Sequence, residues 1–360
     1  MDWGNELTRL LNVKYPIIQA PMLGVGTPQM VAAATRAETL GSLPLGDLPA
    51  EECKAKIQKT NAISKQPFAV NIFVHKLPEI DDSLRKDYKE TRKFLEKLAS
   101  EHQLEVDFPM LEEIKLTDYH DQIEVIIEEE VKIFSFTFGN LDSESIEKLK
   151  RNKTILIGTC TSFKEAKELE ASGIDIICLQ GTGAGGHRGS FDEDDHSEID
   201  GFSILSEIYE KVNIPIIYAG GIHNAKTLLA VRDLGAQGFQ VGSLLLGSKE
   251  SNLPEFAKER LREAKDEELI LTKSFSGRSA RGINNTFIKA MEASGNILPY
   301  PYQNKLTKAL RKSANTNQNT EFLSLWTGQV LPEFSGTSTT DILKHLISEV
   351  NNYKPKPQIN

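Results

Sequence analysis

Eight short apolar runs, rich in β-branched residues and each followed by turn residues and then by a stretch of helical periodicity, set the rhythm of this chain. They lie at Ile17–Ala20, Gly41–Leu45, Phe68–Phe73, Ile133–Phe136, Ile155–Gly158, Ile174–Leu179, Pro215–Ala219 and Phe239–Gly242. A strand that is apolar throughout is buried on both faces, and a strand-turn-helix repeat builds a parallel sheet covered by helices. Eight such units is the number that closes a (β/α)8 barrel. The predicted fold class is therefore α/β, a TIM barrel, with an open doubly wound sheet as the second architecture.

Two gaps between runs are longer than one βα unit. The first, about 75 to 120, carries a charged helical pattern (DDSLRKDYKETRKFLEKLASEH) and is expected to cover the barrel mouth. The second holds a glycine-rich loop. A single core rarely grows past roughly 250–300 residues, so a chain of 360 residues has room for a barrel and an addition. The expected division is a barrel over 1–290 and a helical cap over 291–360 that contributes to the pocket.

Charge and composition exclude several classes. The net charge of −9 offers no basic field for a phosphate backbone, so nucleic acid is not an expected partner. No apolar run reaches the roughly 18–20 residues that span a bilayer, and the start MDWGNELTRL lacks the layout of a signal peptide. The expectation is a cytoplasmic protein without a membrane partner. Cys53, Cys160 and Cys178 are too far apart for a CxxC site and read as buried thiols.

In a barrel, ligand residues stand at the C-terminal ends of the strands. After the first run comes Gln19-Ala20-Pro21-Met22; in the third stands Asn71; after the sixth comes Gln180-Gly181-Thr182-Gly183-Ala184-Gly185-Gly186-His187-Arg188-Gly189-Ser190-Phe191. The last two end in Ala219-Gly220-Gly221-Ile222 and Gln240-Val241-Gly242-Ser243. Paired glycines there let backbone N–H groups approach a phosphate, and the Ser243 hydroxyl adds a donor. Uncharged amides at Asn71, Gln180 and Gln240 suit a flat heterocycle with several acceptors and donors, which a flavin mononucleotide (FMN) provides. Gly181, Gly183 and Gly186 spell GxGxxG, but an acidic run follows instead of a helix, so a dinucleotide fold is not expected. That run, Asp192–Asp195 with His196, reads as a solvated turn, and no metal site is expected. His187, flanked by glycines on a loop at the mouth, is the ionisable group best placed for catalysis. His75, His102, His120, His223 and His345 read as structural, and Arg188 as a partner for the nearby acids or for an anionic ligand.

At these residues the sequence resembles the nitronate monooxygenase family, formerly 2-nitropropane dioxygenase, across nearly its whole length. The words are YPIIQAPM, PFAVNIF, FTFG, IGTCTS, GGHRGSF, AGGI, GAQGFQVGS, SGRSARGINN, YPYQN and WTGQ. AGGI and QVGS are shared by several flavin barrels; GGHRGSF followed by SGRSARGINN is more specific. The resemblance implies FMN held by Ala20, Pro21, Met22, Asn71, Gln180, Gly185, Gly220, Gly221, Gln240, Val241, Gly242 and Ser243, with His187 as the catalytic histidine. It implies oxidation of an alkyl nitronate, such as propionate-3-nitronate, by O2 to a carbonyl compound and nitrite. Tyr300, Tyr302 and Lys305 are candidates for closing the substrate pocket, and a homodimer is compatible with the reading.

Departures from the family pattern are local. Where an NAGGLG-like word is usual, Arg36-Ala37-Glu38-Thr39-Leu40-Gly41 stands, followed by Leu43-Pro44-Leu45. This points to an effect on substrate choice or activity. Tyr218 replaces a small residue beside the phosphate glycines, and Ser243 replaces a threonine while keeping its hydroxyl. Two other functions remain open: an FMN-dependent NAD(P)H reductase of quinones or enoyl thioesters, and a flavin-binding barrel without turnover.

Overall fold

The computed structural model describes residues 2–192, 199–331 and 336–355. Eleven strands are described: β1 (Ile17–Gln19), β2 (Ser42–Gly46), β3 (Ala69–Phe73), β4 (Ile133–Thr137), β5 (Ile155–Cys160), β6 (Ile176–Gln180), β7 (Gly186–His187), β8 (Ile216–Ala219), β9 (Gly238–Val241), β10 (Leu269–Thr272) and β11 (Ala280–Ile283). All eight apolar runs are strands, paired in parallel in the order β1-β9-β8-β6-β5-β4-β3-β2. A parallel bridge from Ile18 to Leu40, just before β2, joins the two ends. The sheet is a barrel.

Period-two alternation divides the strand residues between two apolar layers. Ile18, Ala69, Ile133, Ile157, Ile176 and Ile217 form a cluster with Leu7 and Leu11. These fill the lumen, and the helix Glu6–Leu11 closes its lower end. The alternate residues, among them Val70, Phe134, Leu156, Ile177 and Phe239, pack under the surrounding helices. Burying such a side chain stabilises the fold by about 1.5–3 kcal/mol. The helices start where side chains satisfy their free N–H groups: Thr27 accepts from Met30, Ser162 from Glu165 and Asn224 from Thr227.

A second core lies apart from the barrel layers. Leu84, Tyr88, Leu95 and Leu98 of the helix Asp82–Glu101 pack with Phe275, Phe287, Leu306 and Leu310. The early insertion and the late cap are thus one body. The cap also contains a small sheet, β10-β11-β7, in which β11 runs antiparallel to both neighbours.

The expected boundary at residue 290 needs correction on two counts. Leu246, Ala257 and Leu261 already belong to the cap core. The last helix, Thr339–Asn351, buries Leu343, Leu346, Ile347 and Val350 in the barrel core instead. It packs on Pro28–Arg36 and Ala225–Asp233, and Trp3 Nε1 donates to Asn351 Oδ1 over 2.8 Å. The cap is therefore an excursion within the eighth βα unit, whose helix returns after about residue 330. Residues 193–198, which hold most of the acidic run and His196, lie outside the described residues, as does the end of the tail. Among the described residues, no cluster suits a metal ion and no helix is long and apolar enough to cross a membrane.

Candidate active site

Toward the C-terminal ends of the strands, the lumen turns from aliphatic to polar. Ser42, Asn71, Ser135, Thr159 and Gln240 line a pocket that Pro21 borders. Asn71 is buried and its Nδ2 donates to Ser135 Oγ over 2.9 Å. The structure thus places Asn71 and Gln240 together, as a cofactor amide reading requires.

One wall of the mouth is backbone. Gly220 and Gly221 follow β8 with φ of +128° and +68°, a region that favours glycine. A Cβ on Gly220 would meet the Ala184 nitrogen at 3.0 Å, whereas one on Gly221 would enter open space. The amides of Gly220, Gly221 and Gly242 bond no acceptor within the chain among the described residues. Ser243 Oγ accepts from Gly328 N over 2.8 Å, which leaves its own proton free to donate. This donor set, with room beside Gly221, fits a phosphate monoester, so the residues present fit FMN.

Other expected cofactor residues have different employment. Gln180 is spent on its own loop: Nε2 donates to His187 O over 2.8 Å, and Oε1 accepts from Gly189 N over 2.9 Å. A Cβ on Gly185 would lie 2.4 Å from the Thr327 carbonyl carbon, so glycine is required there by the chain's own close approach. Val241 turns outward into the barrel's helix-side core and offers only backbone. Ala20 and Met22 lie against Gly242, within 3.4 and 3.6 Å of where its Cβ would be. Arg188 is buried and donates to the carbonyls of Gln180 and Gly181, which braces the glycine loop.

The opposite wall is made of side chains brought in by the cap. His187 was expected on an exposed loop; it is half-buried, because β7 pairs with β11, Ala280 opposite His187. Its Nε2 lies 2.8 Å from Ser276 Oγ. Phe138, Trp326 and Phe73 surround its ring at centroid distances of 5.7, 5.6 and 6.4 Å. Burial, with the positive charges of Arg278 and Arg311, pushes the imidazole pKa down to about 3, so His187 is neutral at physiological pH. Arg278 stacks on the Phe138 ring at 4.3 Å and donates to Ser190 O over 2.9 Å, holding the end of the glycine loop. Burial brings Arg311 down to about 10; its guanidinium donates to Asn304 O and Oδ1 over 2.8 and 2.7 Å.

The three cap candidates separate. Tyr300 is at the mouth, its ring edge-on to His75 at 4.7 Å, and its buried hydroxyl has no hydrogen-bond partner among the described residues. Tyr302 is packing: its hydroxyl donates to Pro78 O over 3.1 Å and its ring lies in the cap core. Lys305 forms an ion pair with the buried Asp47 at 2.6 Å, linking the cap to the end of β2. Sequence reasoning missed Phe73, Phe138, Ser276, Arg278, Arg311 and Trp326 as site residues. Ser276 and Arg278 lie in SGRSARG and Trp326 in WTGQ, words that marked the resemblance without revealing that they meet at His187.

Two of the remaining departures have local structural accounts. Glu38 sits at the N-terminal end of β2, away from the mouth, exposed and paired with Lys14 at 3.1 Å. Its φ is +61°, so it occupies a left-handed position that a glycine would fill without strain. The Glu38 carboxylate therefore stands away from the mouth. The Tyr218 hydroxyl fills the space beside Gly181 and Gly201, where a Cβ on either would come within 2.3 Å of it.

Comparison with known proteins gives consistent matches. The chain matches the nitronate monooxygenase family model over residues 5–349. It is 35% identical over 354 residues to a probable nitronate monooxygenase of Staphylococcus haemolyticus, covering 97% of this chain and 98% of that one. A second, from Staphylococcus saprophyticus, is 34% identical over 359 residues, with coverage of 98% and 99%. Among solved structures, nitroalkane oxidase from Streptomyces ansochromogenes aligns with a TM-score of 0.86 and 31% identity, covering 96% of this chain and 98% of that one. FabK from Thermotoga maritima aligns with a TM-score of 0.74 at 23% identity, covering 97% and 96%, a likeness of fold alone.

Proposed function

The chain belongs to the nitronate monooxygenase family, and from that premise we propose that it oxidises alkyl nitronates, propionate-3-nitronate among them, with O2 at an FMN held in the barrel mouth. It is an oxidoreductase whose relatives act on nitro compounds. The observation that carries the finer reading is the meeting of two walls at one mouth: free backbone donors after β8 and β9, and a neutral histidine boxed by aromatic rings beside two guanidinium groups.

Gly220, Gly221, Gly242 and Ser243 would hold the FMN phosphate, and Asn71 and Gln240 the polar edge of its ring system. Bound there, the flavin would supply the electron transfer between substrate and oxygen. The other steps belong to the chain's own side chains. Phe73, Phe138 and Trp326 exclude water from His187, which strengthens every charge interaction in the pocket. Arg278 and Arg311 favour an anionic nitronate over its neutral parent. His187 handles the substrate proton. The products of this reading are a carbonyl compound and nitrite.

The test is oxygen uptake by purified protein, its flavin identified by absorbance and mass, with propionate-3-nitronate and separately with NADH. Uptake with the nitronate alone is expected. Flavin bleaching by NADH under nitrogen, without nitronate-dependent uptake, would move the chain to the reductase class; bound FMN with neither response would leave a flavin-binding protein. His187→Asn is expected to retain FMN and to lose about 10²–10⁴-fold in turnover of a neutral nitroalkane. Full turnover would remove His187 from the chemistry.

A further inference from the structure

Seven residues other than glycine have a positive φ among the described residues. Asn12, Glu38, Gln103, Glu130, Lys153 and Gln318 stand at the C-terminal ends of helices, where a left-handed residue is a common way to stop. The seventh is Phe138, at +80°. It follows a strand and is 2% exposed, and a bulky side chain is strained in this region. The strain redirects the ring. Along β4, Ile133 and Ser135 face the lumen while Phe134 and Phe136 face the helices. Continued alternation would add Phe138 to the helix-side row. It is absent from that core. Its ring lies at the mouth instead, with centroids 4.6 Å from Phe73, 5.6 Å from Tyr300 and 5.7 Å from His187, and with the Arg278 guanidinium over it at 4.3 Å.

Strain of this kind persists only where the neighbours over-determine it. Before Phe138, the Thr137 carbonyl accepts from Val74 N over 2.8 Å. After it, Gly139 is pressed against the same residue: a Cβ there would fall 2.6 Å from the Val74 carbonyl oxygen. The turn ends at Asp142, whose carboxylate caps the helix Ser143–Arg151 and accepts from the Tyr119 hydroxyl over 2.6 Å. Both ends of the turn are therefore fixed, and the inward ring is what the left-handed residue between them achieves. Phe73 and Trp326 also flank His187, but neither has a positive φ. Phe138 alone is placed in the box against its local preference. We infer that Phe138 is a specificity-determining residue: its inturned ring limits the bulk of the group carried on the nitronate carbon, so that the site takes short alkyl nitronates and rejects aryl ones. The Arg278 guanidinium on the face of the ring keeps it from swinging aside for a larger substrate.

This inference rests on the proposed function for the identity of the substrate, so its first readout uses no turnover. Carboxylates share the planar, two-oxygen anion of a nitronate, and acetate and benzoate differ in the bulk attached to it. Their Kd values are read from the absorbance of the flavin in FMN-loaded protein. In Phe138→Ala the ratio of the two Kd values should move about 10-fold in favour of benzoate, and in the milder Phe138→Leu in the same direction by less. In oxygen uptake, kcat/KM for the nitronate of phenylnitromethane relative to ethylnitronate should rise in the same order. Unchanged ratios in both variants, with the two anions weakened alike, would show that Phe138 only packs. Failure of acetate to bind the wild type would show that the box holds no anion. Either result overturns the inference. Kd ratios that shift while no nitronate is turned over would keep Phe138 as the size limit and remove the proposed reaction.

Discussion

The two walls of the barrel mouth are made of different material. The wall after β8 and β9 consists of backbone amides and glycines within the span Gly220–Ser243. The wall around His187 consists of side chains drawn from Asp47, Phe73 and Phe138 on the barrel and from Ser276, Arg278, Tyr300, Lys305, Arg311 and Trp326 on the cap. The first is set by short-range geometry in two tight turns. The second exists only when the cap docks, so its precision depends on the contacts that seat the cap. Cofactor binding and substrate handling should therefore respond to different mutations.

The strongest way to break that contrast lies on the backbone wall. Gly221→Val puts a β-branched residue at a φ of +68° and fills the open space beside the amides. FMN affinity should fall about 100-fold, or about 2.7 kcal/mol, with the fold intact by circular dichroism. FMN retained at one per chain through gel filtration would place the phosphate elsewhere.

Next in size is the latch between the walls. Lys305→Met leaves the carboxylate of Asp47 buried without its cation, and should cost about 3 kcal/mol in urea unfolding. Asp47→Asn combined with Lys305→Met should recover most of that loss. A single variant as stable as the wild type would make Lys305 a free charge, available to substrate, and would erase the latch.

The smallest effect is expected at the barrel end remote from the mouth. Glu38→Gly relieves a left-handed backbone position and should stabilise by up to about 1 kcal/mol. The exposed Lys14 pair that is lost with it contributes little. Steady-state kinetics should not change. A shift in KM would connect this end of the barrel to the site and support the link between its sequence departure and substrate choice.

Legibility from sequence follows the range of the interactions. The barrel strands were readable because each is a continuous apolar run whose burial on both faces leaves a local mark. The Gly220–Gly221 pair was readable for a similar reason, since a positive φ demands glycine in the sequence. Gly185 was readable as a constrained glycine but not for its cause, the chain segment at Thr327–Gly328 that packs against it. β10 and β11 escaped notice because LILT and ARGI are four residues each, one broken by a glycine and an arginine. The final helix was misassigned to the cap because its apolar stripe looks the same whichever core receives it. Nothing local records that the chain leaves the barrel after β9 and comes back.

The sequence by itself determined the barrel and the glycine turns after its last two strands. Each of these follows from side-chain periodicity or backbone sterics within a few residues. The tertiary structure alone decided that Gln180 and Arg188 brace the glycine loop, that Lys305 latches the cap to Asp47, and that Ser276 meets His187. Those are pairings between polar groups, and a polar side chain's role depends on which donor or acceptor the fold brings within 3 Å, a choice made among partners dozens of residues away.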